Sequence, residues 1–479
     1  MAVQENLVCK CLLNAPVWAK RSVFYQIFPD RFFNGDITND PFPTATWGSA
    51  PKTDNFFGGD LKGIVNKIPY LKSLGISALY LNPIFKAKSN HKYNTQDYLR
   101  IDPAFGDLDS FRDLVSQLHR NGMKIILDGV FNHTGINFWA FQDVVAKGGA
   151  SKFVDWYYLK EFPVQMNPPN YQCWWNISDL PKLNVANPAV RNYLKRVIAY
   201  WTRREIDGWR LDVPNEIEMS FWREFRTLVK SINPEAYLVG EIWQDGTPWL
   251  KGDQFDAVMN YRWRDLVIEY LVNPGFSTAA FSHGLTEIMK PLSLETNLLM
   301  LNLLGSHDTP RILTMLKGRI SLVKLAVALQ MTYPGVPCIY YGDEVGLWGE
   351  KDPDCRRTMP WDLRCNNQDL LQYYQKIIKI RQSHSCFQEG LYYPLILWEN
   401  QEFFGFLRVG QQESGLVLIN RTVKSISFSI PADIILGLIA KGHLLLNLTQ
   451  EPHWKVELKP HRQIEFHLKP HGSAIWLIT

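Results

Sequence analysis

The sequence predicts an α/β chain: a closed (β/α)8 barrel, a subdomain inserted after its third strand, and an all-β sandwich at the C-terminal end. Three observations carry that prediction. Eight short apolar or β-branched runs alternate with amphipathic stretches from about residue 22 onwards. Acidic residues close several of these runs, as they do where a barrel gathers reactive groups at the C-terminal ends of its strands. Beyond about residue 385 the helical periodicity stops and strand-like runs replace it.

The eight runs are Val23–Phe28, Ala78–Phe85, Lys124–Val130, Gly208–Val213, Tyr237–Ile242, Phe255–Tyr261, Leu298–Gly305 and Cys338–Tyr341. Helices are expected between them. Phe111, Leu114, Val115 and Leu118 keep the 3,4 spacing before Gly122, a typical residue just past a helix end. Asn187 and Pro188 supply an N-cap and a first helical residue ahead of Val190, Tyr193, Leu194, Val197, Ile198 and Trp201. Phe221, Trp222, Phe225, Leu228, Val229 and Ile232 repeat the pattern until Asn233-Pro234 stops it. Such alternation implies a parallel sheet with crossover helices.

Residues 134–187 break the rhythm with Trp156-Tyr-Tyr158, Pro168-Pro169 and Trp174-Trp175. A segment of that length between a strand and its helix is expected to be a functional insertion over the site. Residues 1–133 and 188–384 are thus expected to form the barrel, 134–187 the insertion and 385–479 the β domain. The runs Phe403–Val409, Leu416–Ile419, Ile426–Ile430, His443–Leu446, Glu465–Leu468 and Ala474–Ile478 are its expected strands.

Composition narrows the function. At 46% hydrophobic residues over 479, the chain is neither disordered nor fibrous and can bury a large core. A net charge of +4 without a long basic block argues against nucleic acid. No apolar run reaches the roughly 18 residues of a membrane helix. The 17 Trp, 20 Tyr and 26 Phe lean towards carbohydrate, whose C–H faces pack on aromatic rings. The start Met1-Ala-Val-Gln-Glu-Asn6 carries no basic and apolar secretory pattern. Seven scattered cysteines, at 9, 11, 173, 338, 355, 365 and 386, read as reduced thiols, and Cys9-Lys-Cys11 lacks the second pair a zinc site needs. A cytoplasmic location is expected.

Three acids stand out: Asp212 in Gly208-Trp-Arg-Leu-Asp212, Glu241 in Leu238-Val-Gly-Glu241, and Asp308 in Leu303-Leu-Gly-Ser-His-Asp308. Two carboxylates flanking an acetal suffice to hydrolyse a glycosidic bond, and a third can hold the distorted sugar. Arg210 lies two residues before Asp212, on the same strand face, and a guanidinium there favours an ionised nucleophile. Glu241 between apolar neighbours keeps its proton more readily, as a general acid must. Each acid has a plainer alternative. Asp212 could form a turn, Glu241 could pair with a helix, and Asp308 could cap a helix over Thr309–Met315. Asp128, Asn132 and His133 end the third run at the mouth of the insertion, where His133 is either structural or a sugar contact. Near the first strand, Asn34, Asp36, Asn39 and Asp40, then Gly58 and Asp60, cluster hard oxygen ligands that suit Ca²⁺, although Asn/Asp-rich turns are common without metal and spacing alone favours that plainer reading.

Together Asp128–His133, Gly208–Asp212, Gly240–Trp243 and Ser306–Asp308 resemble the signature blocks of the α-amylase superfamily of glycoside hydrolases, over nearly the whole chain. Leu180-Pro-Lys-Leu-Asn184 resembles the mark of its neopullulanase, cyclomaltodextrinase and maltogenic amylase group, where Met is usual at position 180; His91-Lys-Tyr93 and Asp352-Pro-Asp-Cys-Arg356 are similar to that group too. The resemblance implies a nucleophile at Asp212, an acid/base at Glu241 and a transition-state stabiliser at Asp308. It implies substrate contacts at His91, Tyr93, His133, Arg210, Trp243, His307, Asp352 and Arg356. It also implies a structural calcium at Asn34, Asp36, Asn39, Asp40, Gly58 and Asp60, no organic cofactor, and a maltooligosaccharide or branched α-glucan as the partner.

Pro214, Gln244 and Asn94 depart from the group, which favours Ala, His and Asp there. Only about 20 residues precede the first strand, so the group's N-terminal β domain and its dimer are not expected. The resulting expectation is an open cleft favouring branched glucans, cleaved at α-1,6 and α-1,4 links. The alternatives are an enzyme restricted to α-1,4 links, a transglycosylase with the same acids, and a non-catalytic glycan-binding barrel.

Overall fold

The computed structural model describes residues 16–362, 367–397, 401–439, 442–449 and 454–479. Cys9, Cys11, Cys365 and the Met1–Asn6 start lie outside the described residues.

Eight parallel strands form the barrel: Phe24–Ile27, Ala78–Leu81, Lys124–Gly129, Gly208–Leu211, Tyr237–Gly240, Ala257–Val258, Leu301–Leu303 and Val336–Tyr340. They neighbour one another in chain order. Phe24 pairs with Cys338 to join last to first, and a Met259–Leu301 bridge closes the remaining seam. Strands covered on both faces read as continuous apolar runs, which is why the sequence located all eight.

Side chains alternate between two destinations. Phe24, Ala78, Ile126, Tyr237, Ala257, Leu301 and Val336 fill the barrel interior. Their neighbours Tyr25, Leu79, Ile125, Leu238 and Val258 point outward into the much larger core beneath the helices. Two positions further along the inward row the residues turn polar: Gln26, Tyr80, Asp128 and Arg210, then Asp212 and Glu241. An apolar plug at one end and a polar floor at the other follow from period-two alternation along each strand.

The run Ala78–Phe85 does not continue as one strand. Phe85–Ala87 instead pairs antiparallel with Thr95–Ile101 as a hairpin outside the barrel, which carries His91 and Tyr93 in its turn. The runs at Phe255–Tyr261 and Leu298–Gly305 shorten because Tyr261 opens one helix and Leu299 ends another.

The insertion holds the helix Trp139–Lys147 and single bridges His133–Lys182, Tyr157–Leu183, Leu159–Tyr171 and Cys173–Pro181. Its aromatics Phe141, Trp156, Tyr157 and Tyr171 belong to the main core rather than to one of their own. Past the helix Gln368–Ser383, a six-stranded antiparallel sheet runs in the order Leu391–Pro394, Phe404–Val409, Ser414–Asn420, Gly472–Ile478, Leu444–Asn447, Lys455–Glu457. The antiparallel pair Ile426–Pro431 with Gln463–Leu468 covers one face over Leu407, Leu416, Leu418 and Trp476. The other face, with Phe404, Phe406, Val417 and Ile419, shares the core of the barrel helices.

Candidate active site

Arg210 is the centre of the polar floor, fully buried on the fourth strand. Its Nη1 donates to Asp128 Oδ1 at 2.8 Å and to Asp212 Oδ1 at 2.9 Å. Its Nη2 stands 2.9 Å from Glu241 Oε1. One cation therefore faces three buried carboxylates from the third, fourth and fifth strands. They cannot all ionise without leaving two uncompensated charges out of water.

Glu241 is pushed towards its protonated form. Burial is the main cause, only partly offset by Arg210, and its carboxyl is pushed up to about 7. Trp243 Nε1 and the Val213 N–H donate to it at 3.2 Å each. Val213 takes φ +36°, a left-handed conformation that β-branched residues avoid, at a cost of about 1–3 kcal/mol. That strain directs its N–H at the acid.

Arg210 favours the ionised form of Asp212, as the sequence suggested, but it is not the largest influence on that carboxyl. Burial pushes its carboxyl well up, Glu241, Asp128 and Asp308 push the same way, and Arg210 pulls against them. The guanidinium is also shared, which no strand sequence reveals alone.

Asp308 closes the site from the seventh strand, its side chain 33% exposed towards the cleft. It meets His307 Nε2 at 3.1 Å and Arg356 Nη2 at 3.3 Å, and it does not cap a helix: the helix there is Ile312–Met315 with Arg311 at its N-cap. Arg356 Nη1 pairs with Asp352 at 3.0 Å. The Tyr93 hydroxyl donates to Asp128 Oδ2 at 2.8 Å and lies 2.7 Å from His307 Nε2, with the His91 ring stacked on Tyr93. Burial keeps His307 well below its ordinary pKa, and Arg356 and Arg210 add to it; burial also pushes His133 down to about 4. His133 stacks on Trp174, which stacks on the exposed Trp175. Trp243 stacks on Tyr261 with centroids 3.8 Å apart and stays 45% exposed. All eleven residues expected at the cleft thus lie at or around the polar floor.

The Asn34–Asp60 cluster lies apart from it. Asp60 caps the helix Leu61–Asn66 and accepts from the N–H groups of Gly35, Asp36 and Gly63; Asp36 accepts from Thr38 and Lys62. Both acids are therefore already engaged. Among the described residues no three His, Cys, Asp or Glu side chains are grouped to hold a metal. The amide oxygens are another matter. Asn34 Oδ1 is buried without a partner, and the Asn39 amide nitrogen donates to the carbonyls of Asp36 at 3.0 Å and Ala104 at 3.2 Å. A Cβ at Gly58 (φ +77°) would fall 2.4 Å from Asp40 Oδ1, so the cradle closes tightly there.

Sequence reasoning missed Gln26, Tyr80, Asn82, Val213 and Tyr261 as parts of the site. For Gln26 and Tyr80 a signal existed: a polar group on the inward row of an otherwise apolar strand. The departing residues are accommodated locally. Asn94 accepts from Ser89 Oγ at 2.6 Å, and Pro214 accepts from Trp222 Nε1 at 2.9 Å.

A closed barrel with opposed buried carboxylates on one guanidinium at its C-terminal face defines a class, the (β/α)8 glycoside hydrolases. Residues 26–388 match the family described as alpha amylase, catalytic domain. The chain is 42% identical over 470 residues to a cyclomaltodextrinase of Geobacillus thermopakistaniensis, covering 98% of this chain and 78% of that protein. It is 47% identical over 418 residues to neopullulanase 2 of Thermoactinomyces vulgaris, covering 86% and 72%. Among solved structures, a cyclic α-maltosyl-(1→6)-maltose hydrolase from Arthrobacter globiformis superposes with a TM-score of 0.88 at 38% identity, covering 97% of this chain and 99% of that one. The chain belongs to the α-amylase family of glycoside hydrolases.

Proposed function

We propose that the chain is a retaining α-glucan hydrolase of neopullulanase type, cleaving α-1,6 and α-1,4 links in maltooligosaccharides and branched glucans. The observation that carries the mechanism is the pair Asp212 and Glu241 on opposite nitrogens of Arg210. Retaining enzymes hold such a pair about 5 Å apart. Asp212 attacks the anomeric carbon, the bond to the leaving oxygen breaks, and Glu241 passes its proton to that oxygen. Glu241, now a carboxylate, takes a proton from water as the water attacks the same carbon. Asp212 is released, and the product keeps the α configuration. Asp308, His307 and Arg356 hold the hydroxyls of the reacting sugar. Asp352, His91, Tyr93, His133 and Trp243 line its approach.

The α-1,6 activity draws support from the relatives named neopullulanase and cyclic α-maltosyl-(1→6)-maltose hydrolase. Product analysis on pullulan, a branched maltooligosaccharide and cyclodextrins tests it. Panose or maltose with α anomers released first is the expected result. Opening of cyclodextrins alone would sink the debranching assignment, and initial β anomers would sink the mechanism.

The same reading divides the chain into a barrel (1–133 and 188–384), an insertion (134–187) and a β domain (385–479), with no nucleic-acid or membrane partner and a cytoplasmic location. The four described cysteines 173, 338, 355 and 386 are free, which suits a reducing compartment. Among the described residues, no helix is long and apolar enough to cross a membrane.

Calcium would be held by the oxygens of Asn34, Asn39 and Asp40 with neighbouring carbonyls, while Asp36, Gly58 and Asp60 shape the loop. The ion would supply charge that ties this loop to the first strand, and no reaction step involves it. Chelation is expected to lower Tm by about 5 °C, reversed by added Ca²⁺. An unchanged melting curve, read without substrate, counts against the site.

A further inference from the structure

Gln26 lies on the inward row of the first strand, two positions beyond Phe24, and is 1% exposed. Its Nε2 stands 3.0 Å from His307 Nδ1 and 3.1 Å from Asn82 Oδ1. We propose that Gln26 is a positioning residue that holds His307 as the tautomer carrying its proton on Nε2, aimed at Asp308 and, with substrate bound, at a sugar hydroxyl. The proposal rests on the functional reading above for its effect on turnover, but not for the tautomer itself.

The assignment follows from donor and acceptor accounting, beginning at the buried charge. Asp128 accepts from Arg210 Nη1 at 2.8 and 2.9 Å and from the hydroxyls of Tyr80 and Tyr93 at 2.8 Å each. Surrounded by donors, it is the carboxylate. The single Tyr93 proton is spent on it, so every other contact of that oxygen must be a donation to it. Asn82 therefore presents Nδ2 to Tyr93, at 3.0 Å, and turns Oδ1 towards Gln26. Oδ1 needs a donor, which sets the Gln26 amide with Nε2 facing both Asn82 and His307. An amide nitrogen cannot accept. His307 Nδ1 must then offer its lone pair, and the ring proton resides on Nε2, where the Tyr93 oxygen at 2.7 Å and Asp308 Oδ2 at 3.1 Å both accept.

A doubly protonated ring is excluded by the same geometry, since two donors would meet at Nδ1. The charged and titratable groups around the ring are Tyr93, His91, Asp308, Arg356 and Arg210, with Cys355 Sγ donating to the His307 carbonyl. Both arginines oppose a second proton. A histidine whose Nδ1 carried the proton would present a lone pair to Asp308, and carboxylate and lone pair would repel. Gln26 thus reaches the reacting sugar through His307 without touching it.

Nitrogen NMR on the full chain labelled with ¹⁵N-histidine tests this directly, with His307→Gln used to assign the resonance. Wild type is expected to show Nδ1 unprotonated and Nε2 protonated. Gln26→Glu places an acceptor at Nδ1 and is expected to move the proton there; Gln26→Met leaves both tautomers populated. Turnover of a nitrophenyl maltoside should fall between about tenfold and a hundredfold in kcat, more in Glu than in Met, with KM changing less. A proton on Nδ1 in the wild type overturns the assignment whatever the activity. So does a Gln26→Glu variant with wild-type tautomer and kcat. A wild-type chain that shows Nε2–H yet hydrolyses no α-glucan overturns the functional reading alone and leaves the tautomer standing.

Discussion

Replacing Asp212 by Asn is expected to lower kcat on α-glucans by at least about 10⁴-fold, roughly 5 kcal/mol of transition-state stabilisation. Two effects combine. The amide cannot form the glycosyl ester, so the first displacement has no nucleophile. Removing one carboxylate also leaves Arg210 facing only Asp128 and Glu241, so the floor becomes less negative where positive charge develops on the sugar. KM should move little, since Asp308, Arg356 and Asp352 still hold the substrate. Steady-state kinetics on maltotriose with a parallel thermal melt checks this. A folded variant that keeps 1% of wild-type kcat would rule out Asp212 as the attacking group.

Glu241→Gln is the second large effect. With an unactivated sugar as leaving group, kcat should fall about 10³-fold, within the range that general acid–base catalysis supplies. With an acidic nitrophenol as leaving group the first step needs no proton, so the loss there should be much smaller. The pH dependence has a definite sign. Burial pushes Glu241 up to about 7, so the protonated form the first step requires predominates below pH 7 and is lost as pH rises through it. Wild-type kcat/KM should therefore fall on the alkaline side, approaching tenfold per pH unit, and in the Gln variant that limb should vanish. A limb that survives in Glu241→Gln would assign the titration to another group.

The fold was largely legible because its elements obey local rules. Strands buried on both faces must be apolar, and helices that cover them must be amphipathic, so Lys124–Gly129 and Pro188–Thr202 announce themselves. The hairpin Phe85–Ala87 with Thr95–Ile101 did not, because its second strand buries Thr95, Tyr98 and Ile101, every third residue rather than every second, and its pairing crosses the His91–Tyr93 turn. Edge strands such as Lys455–Glu457 were equally silent; three residues with one side in solvent carry no periodic signal. In the site, Asp212, Glu241 and Asp308 stood out because an acid at the end of an apolar run is conspicuous. Tyr261 and Val213 did not, since an aromatic and a β-branched residue after a strand look like core.

What the sequence determined by itself is which acids stand on the polar floor and the strand ends on which they sit, because alternation along a strand is a property of neighbouring residues. What only the tertiary structure decided is their protonation. Asp128, Asp212 and Glu241 come from three different strands yet share the Arg210 guanidinium, and the energy of a buried charge depends on the distances to every other charge around it. Those distances exist only once the barrel has closed.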